Sequence, residues 1–168
     1  WSGDLGYRDE SGFFYFAGRD SEWLRVDGEN LSAAQIEQVL VRHPAVSVAA
    51  AYGVPDPIVG DQLMVALETV PGAQFDPGEF RRFLGSQEDL GTKWLPRFVR
   101  LCEQLPVTST HKVLKRELRQ SGWRCAGPVW WRPGRDESYR PLTGEDIAGL
   151  EATFAARGRA HLLPAGGG

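Results

Sequence analysis

Two long apolar runs of β-forming residues constrain this chain more than any other feature. They cover residues 45–54 and 63–70, and the stretch between them, residues 55–61, holds two prolines, a glycine and two aspartates. Apolar runs bounded by turn-forming residues are typical of neighbouring strands. We therefore expect two neighbouring strands here, as part of a small mixed sheet.

Strand and helix signals alternate along the rest of the chain. Further strands are predicted at residues 5–7, 13–17, 23–26 and 97–102, and the turn signal Asp9-Glu10-Ser11-Gly12 joins the first two as a hairpin. Four helices are predicted. The first covers residues 32–41 and is opened by a capping box of Ser32 and Gln35, and the second starts at Asp76-Pro77. The third and fourth cover residues 113–120 and 143–156. The pattern predicts an α/β (α+β) fold with a small mixed sheet flanked by helices and preceded by a β-hairpin. After residue 122, Trp and Pro dominate, which predicts an irregular tail with a disordered end at 163–168.

The composition excludes several classes of function. A chain with 42% hydrophobic and 24% charged residues has enough apolar mass for a core, and a net charge of −3 gives no electrostatic case for a nucleic-acid partner. Cys102 and Cys125 show no metal-ligand spacing, and we expect reduced thiols in a cytoplasmic protein. The longest low-polarity run, residues 45–55, is about half a membrane span.

Two segments carry chemistry that core-building does not call for. The first contains Trp1-Ser2-Gly3-Asp4, Gly18-Arg19 and Gly28-Glu29-Asn30, and the second is a Thr/Ser-rich loop, residues 106–112, that ends on Lys112 before a basic helix. Together they resemble the adenylate-forming enzymes, a superfamily of acyl-CoA synthetases, peptide-synthetase adenylation domains and luciferases. The closest likeness is to the C-terminal domain of the fatty-acid–CoA ligase branch, and it covers residues 1–120 better than the rest. Because the chain opens on Trp1 inside a motif, we expect a fragment of a longer enzyme.

Lys112 is the candidate catalytic residue. The resemblance implies that it is the adenylation lysine, since an ammonium near the α-phosphate and the attacking carboxylate would stabilise the charge of that transition state. Taken alone, the residue would be interpreted as the solvated start of a basic helix. His111 stands where the family has glycine, and histidine adopts a positive φ less readily, so the backbone conformation of the loop is left open.

The resemblance also assigns residues to the nucleotide and to CoA. It implies that Asp4 accepts hydrogen bonds from the ribose hydroxyls of ATP and AMP, that Arg19 contacts ribose or phosphates, and that Gly28 lets the pantetheine arm pass the backbone. Arg25 matches a basic position of varying role, and Glu29 would lie near CoA. A structural interpretation stands beside each assignment: a hairpin start for Asp4, a surface arginine for Arg19, an exposed strand position for Arg25, a tight turn for Gly28, and turn or pre-helix residues for Glu29 and Asn30.

The hinge is expected two positions after Arg19. This places it at Ser21, where the family usually has aspartate or lysine. The implied organisation is a terminal hairpin of a large N-terminal domain at 1–19, a mobile C-terminal domain at 20–122, and an extension with one helix at 123–168.

The activity implied for the full-length protein is ATP-dependent, AMP-forming acyl-CoA ligation. A fatty acid would be adenylated by ATP, with Mg²⁺ bound mainly by the large N-terminal adenylation domain, and CoA would then take the acyl group as co-substrate. The fragment alone is expected to be inactive. Two alternatives remain open: a non-catalytic binding module that keeps the fold, and an adenylating enzyme whose acceptor is a carrier protein or oxygen. Peripheral membrane contact also stays open, because fatty acids partition into membranes.

Overall fold

The computed structural model describes residues 4–8, 12–19, 23–26, 28–58, 60–91 and 94–166. Its strands and helices in chain order are β1 (Asp4–Arg8), β2 (Phe14–Arg19), β3 (Trp23–Val26), β4 (Glu29–Ser32), α1 (Ala33–Leu40), β5 (Val46–Pro55), β6 (Asp61–Thr69), α2 (Pro77–Ser86), β7 (Phe98–Cys102), α3 (Lys115–Ser121), β8 (Val129–Trp131), β9 (Arg140–Pro141) and α4 (Gly144–Ala156). A short 3-10 helix, Ala160–Leu162, follows α4.

The two apolar runs form strands β5 and β6, as predicted. β5 and β6 pair antiparallel along their length, from Val46 opposite Thr69 to Pro55 opposite Asp61. Leu63, Val65 and Leu67 of β6 contribute to one buried cluster, whereas Met64 and Ala66 contribute to the other. Because successive side chains of a strand point to opposite faces, a strand that is apolar at every position must be covered on both sides.

Helices cover both faces of this sheet. The sheet has seven strands in the order β4-β3-β6-β7-β8-β9, with β5 also paired to β6, and its pairings are both parallel and antiparallel. Ile36 of α1 and Phe80 of α2 belong to the first buried cluster, and Leu118 of α3 and Phe154 of α4 belong to the second. The predicted mixed sheet flanked by helices is confirmed, and β1 and β2 form the separate hairpin that was expected to precede it.

The cap predicted for α2 is present in the structure, whereas the capping box predicted for α1 is not. The Asp76 carboxylate caps α2 by accepting a hydrogen bond from the Glu79 N–H at 2.6 Å, with Pro77 as the first helical residue. The capping box predicted at Ser32 is wrong, because the Ser32 side chain makes no cap hydrogen bond. Ser32 is the last residue of β4 and pairs with Trp23, so strand pairing determines its backbone.

The chain after Gly122 is more ordered than its sequence indicated. β8 extends the sheet by pairing with β7, β9 pairs with β8, and Trp123 is buried in the second cluster with Phe154.

Disorder was also predicted for the last residues, and this is wrong for residues 163–166. Pro164 is buried, and its carbonyl accepts a hydrogen bond from Arg124 Nη1 at 2.9 Å. The Ala165 N–H donates to the Gln120 carbonyl at 2.9 Å. The proline packs against Gly122, where an added Cβ would lie 2.7 Å from Pro164 Cγ.

Within the described ranges, no helix combines the length and the apolar character needed to span a bilayer.

Candidate active site

Lys112 lies in a tightly closed loop, residues 107–113, which we call the lysine loop. Val107 and Val113 form an antiparallel bridge at its base. The Thr108 N–H donates to the Lys112 carbonyl at 2.8 Å, and just outside the loop the Leu114 N–H donates to the Pro106 carbonyl at 2.8 Å. The Thr108 hydroxyl accepts from the Lys112 N–H at 3.1 Å. These bonds hold the backbone of the lysine in one place.

His111 takes a left-handed backbone conformation at the tip of this loop. Its φ is +60°, and it is the non-glycine residue with positive φ among those described. Its N–H donates to the Thr108 carbonyl at 2.9 Å, which closes the turn. The loop therefore keeps a glycine-type conformation although the residue is histidine, and this answers the point that the sequence left open.

A cationic cavity of about 360 Å³ adjoins Lys112. Its lining consists of Glu37, Ala49, Lys112, Val113, Lys115, Arg116 and Arg119. The carboxylate among these residues, Glu37, pairs with Lys115 at 2.7 Å. Lys112 is exposed, and no carboxylate in the described part of the chain pairs with its ammonium. This site offers a positive charge to an incoming anion.

The residues assigned to CoA lie together on the β3–β4 hairpin. Gly28 forms the exposed turn between these strands, with φ of +80° and open space where a Cβ would be, so the tight-turn interpretation of Gly28 is confirmed. Arg25 is exposed on β3 opposite Asn30. Glu29 and Asn30 were expected as turn or pre-helix residues, which is wrong: they begin β4, because pairing with Val26 and Arg25 continues the ladder.

The two residues assigned to the nucleotide occupy paired positions. Asp4 on β1 is directly opposite Arg19 on β2 in the register of the hairpin. Residues opposite each other in an antiparallel pair have neighbouring Cβ atoms, so the backbone brings these two positions to one end of the hairpin. The expected hinge residue, Ser21, lies outside the described residues.

His43 and the two cysteines have ordinary structural environments. His43 is buried at the end of α1 against Phe80 and Phe83, and burial lowers its pKa. Cys102 and Cys125 are free thiols, and burial raises the pKa of each. A raised pKa disfavours the thiolate, so neither thiol is activated as a nucleophile.

Sequence reasoning missed the pair of Glu37 and Lys115. Glu37 is the charged residue of α1, whose sequence is AAQIEQVL. A single carboxylate on a helix without other charged residues was the available signal, since a carboxylate that becomes partly buried needs a partner. The partner is far away in the sequence and could not be identified from spacing.

The model of the family described as AMP-binding enzyme C-terminal domain matches residues 35–112, from within α1 to the candidate lysine itself. A steroid-22-oyl-CoA synthetase from Rhodococcus jostii is 52% identical over 97% of this chain. Residues 35–112 of this chain belong to the AMP-binding enzyme C-terminal domain family.

The relatives are much longer than this chain. It spans 30% of the length of the Rhodococcus protein, and 27% of a medium/long-chain-fatty-acid–CoA ligase from Mycobacterium marinum to which it is 56% identical over 82% of its own length. Among solved structures, o-succinylbenzoate CoA synthetase from Bacillus subtilis, in complex with an acyl-adenylate, is similar with a TM-score of 0.60 and 30% identity. That match covers 70% of this chain and 24% of the other. The predicted C-terminal domain of an adenylate-forming enzyme is confirmed, whereas the roles of individual residues remain predictions.

Proposed function

We propose that this chain is the mobile C-terminal domain of an ATP-dependent, AMP-forming acyl-CoA ligase that acts with a large N-terminal adenylation domain. The support is its similarity, at 52% and 56% identity, to proteins named as CoA synthetases or ligases of which it spans less than a third. Those names specify a steroid acyl group in one case and medium or long fatty acids in the other. The proposed substrate is therefore an apolar carboxylic acid, most simply a fatty acid.

Lys112 is the proposed catalytic residue of adenylation. The observation that carries this role is an exposed ammonium without a carboxylate partner in the described chain, held by a hydrogen-bonded loop beside a cationic cavity. When the acid attacks ATP, negative charge develops on the α-phosphate and on the carboxylate oxygen. A positioned cation lowers the energy of that state more than the energy of the ground state.

The other assigned residues serve the nucleotide, the hinge and CoA in this proposal. Asp4 and Arg19 would contact the ribose and phosphates of ATP and AMP, and Ser21 would be the pivot between 1–19 and 20–122. Gly28 and Glu29 would face CoA, and Arg25, a basic position of varying role, lies on the same hairpin. The cross-strand register of Asp4 and Arg19, and the common hairpin of the last three, support the grouping.

Magnesium does not fit the described residues. They contain no group of three or more His, Cys, Asp or Glu side chains that could hold a metal ion, and the side chains around Lys112 are mainly cations. We therefore assign the Mg²⁺ that accompanies ATP to the large domain, and no step of this chain is derived through it.

The first experiment separates the two half-reactions in the full-length enzyme. Lys112→Ala should reduce ATP–pyrophosphate exchange by about 10²–10³-fold, because a charge-stabilising group is lost. It should leave thioester formation from supplied acyl-AMP nearly unchanged. Arg82→Ala, which removes an exposed cation from α2, is the control and should change neither rate. Equal loss in both half-reactions would contradict the assigned role.

The second experiment tests Gly28. Gly28→Ala should slow thioester formation and spare pyrophosphate exchange, because a side chain would obstruct the CoA arm. Gly72 provides a matched control, since its φ is +82° and it too has open space at the Cβ position. Gly72→Ala carries the same backbone strain and should spare both half-reactions. An unimpaired thioester step in Gly28→Ala would remove Gly28 from the CoA path.

Two further outcomes bear on the alternatives. The 168-residue chain by itself should form neither acyl-AMP nor acyl-CoA, and robust turnover by it would overturn the division between domains. A carrier-protein acceptor is kept as an alternative because a fatty acid–[acyl-carrier-protein] ligase from Streptomyces coeruleorubidus is 35% identical to this chain over 73% of its length. Competition of CoA against a phosphopantetheinylated carrier protein in the second half-reaction distinguishes the two acceptors.

A further inference from the structure

Glu37 connects three parts of the fold that surround Lys112. Its Oε1 accepts a hydrogen bond from the Ala51 N–H of β5 at 2.7 Å and from the Lys115 ammonium at 2.7 Å. The side chains of Glu37 and Lys115 are only 22% and 23% exposed. Ion pairs shielded to this degree are stronger than those on an open surface.

Lys115 is placed where a helix does not favour it. It is the first residue of α3, and the N-terminal end of a helix carries partial positive charge that disfavours a cation. The preceding residue, Leu114, supplies no side-chain cap. The Glu37 carboxylate compensates the charge of Lys115 and ties the start of α3 to α1 and β5.

The ion pair of Glu37 and Lys115 lies next to the lysine loop. Lys115 follows Lys112 by three residues, and its N–H donates to the Val113 carbonyl at 3.0 Å. Glu37, Lys112 and Lys115 line the same cavity. A shift in the start of α3 would move the closing bridge of the loop, Val107 to Val113, and with it the ammonium of Lys112.

We propose that Glu37 is a positioning residue, which acts through Lys115 to hold the lysine loop in the geometry that adenylation requires. The proposal rests on the function assigned to Lys112 above. Glu37 does not touch the reacting atoms in this scheme. Its effect comes from orientation, and displacement of a reactive group by about 1 Å can cost about a hundredfold in rate.

Glu37→Gln is the informative substitution. The amide oxygen of glutamine can still accept the Ala51 N–H, whereas the charge that holds Lys115 is lost. In the full-length enzyme, Glu37→Gln and Lys115→Met should each reduce pyrophosphate exchange by about tenfold or more and change thioester formation from supplied acyl-AMP by less than about twofold. The double variant should be no worse than the single variants, and Lys115→Arg should retain exchange.

The pair of Arg42 and Asp89 is the matched control. It also joins the region of α1 to a distant segment by a contact of 2.7 Å, but it is about half exposed and does not line the cavity. Asp89→Asn should leave both half-reactions unchanged. If Glu37→Gln loses both half-reactions equally, or behaves like Asp89→Asn, Glu37 is only structural and the proposal fails.

A measurement without substrates tests the positioning role of Glu37 separately from the catalytic role of Lys112. Amide hydrogen exchange at Thr108 and Leu114, whose N–H groups close the loop, should be about tenfold faster in Glu37→Gln and unaltered in Asp89→Asn. Unchanged exchange would overturn the positioning role even if Lys112→Ala behaves as expected. Faster exchange with no selective effect of Lys112→Ala would instead show that the catalytic assignment is wrong, and the positioning proposal would fall with it.

Discussion

Phe154 provides the sharpest test of whether residues 123–168 belong to the same folded unit as the rest. It is fully buried, it is the buried residue of α4, and its ring lies 6.3 Å from that of Trp123. Truncation of a buried Phe to Ala costs about 3–5 kcal/mol, to which such an aromatic pair contributes about 1 kcal/mol. Since domains are stable by only about 5–15 kcal/mol, Phe154→Ala should lower the melting temperature by roughly 6–20 °C.

The assay is urea unfolding followed by tryptophan fluorescence and far-UV circular dichroism. Both signals should shift together in Phe154→Ala, because Trp123 and Phe154 share a cluster with residues of β5, β6 and β7. Leu162→Ala is the control, as Leu162 is 39% exposed and should cost less than about 1 kcal/mol. A loss below about 1 kcal/mol in Phe154→Ala, or two transitions of which only one moves, would refute the single unit. We therefore propose that 20–122 and 123–168 are divisions of the sequence that fold together.

Three further predictions concern other elements. Arg132→Met should cost about 3 kcal/mol in urea unfolding, because the buried guanidinium donates to the backbone carbonyls of residues 95, 96, 134 and 135, and each of these hydrogen bonds would be lost. The exposed Arg82→Met should be neutral. Burial raises the pKa of Tyr139 from 10.0 to about 12. The unfolded chain therefore releases this proton first, and stability should fall as the pH rises from 10 to about 12, with a smaller fall in Tyr139→Phe. His111→Gly should be more stable than His111→Ala by about 1 kcal/mol in the same assay, because alanine keeps the cost of positive φ; equal stabilities would contradict the assigned strain.

Periodicity predicted the elements whose formation depends on their own sequence. The apolar positions of β5 and β6 and the aspartate–proline start of α2 are local signals, and they appear in the structure where they were expected. β4 was missed because its residues, ENLS, have no strand pattern, and they become a strand only by pairing with β3. β8 and β9 have three and two residues, and they likewise exist through their partners in the sheet.

The difference between local and long-range signals also explains which functional and buried charged residues could be identified from the sequence. Lys112 could be identified because the residues around it form a contiguous motif. Glu37 and Arg132 could not, since each acts on groups that are distant in the sequence: Glu37 on Ala51 and Lys115, and Arg132 on the carbonyls of Leu95 and Pro96. Buried charges depend on the folded partners that satisfy them, and those partners are determined by the topology of the sheet.

His111 affects the stability of the lysine loop and not the group that Lys112 presents. The family pattern has glycine at this position, where φ is +60° and a residue with a Cβ carries a penalty of about 1–2 kcal/mol. The loop adopts that conformation nevertheless, and it is closed by the bridge between Val107 and Val113 and by the hydrogen bonds that Thr108 makes. We therefore expect the histidine to cost stability, whereas the loop that presents Lys112 still closes with a positive φ at this position. It follows that the change from glycine to histidine gives no reason to doubt the proposed role of the lysine.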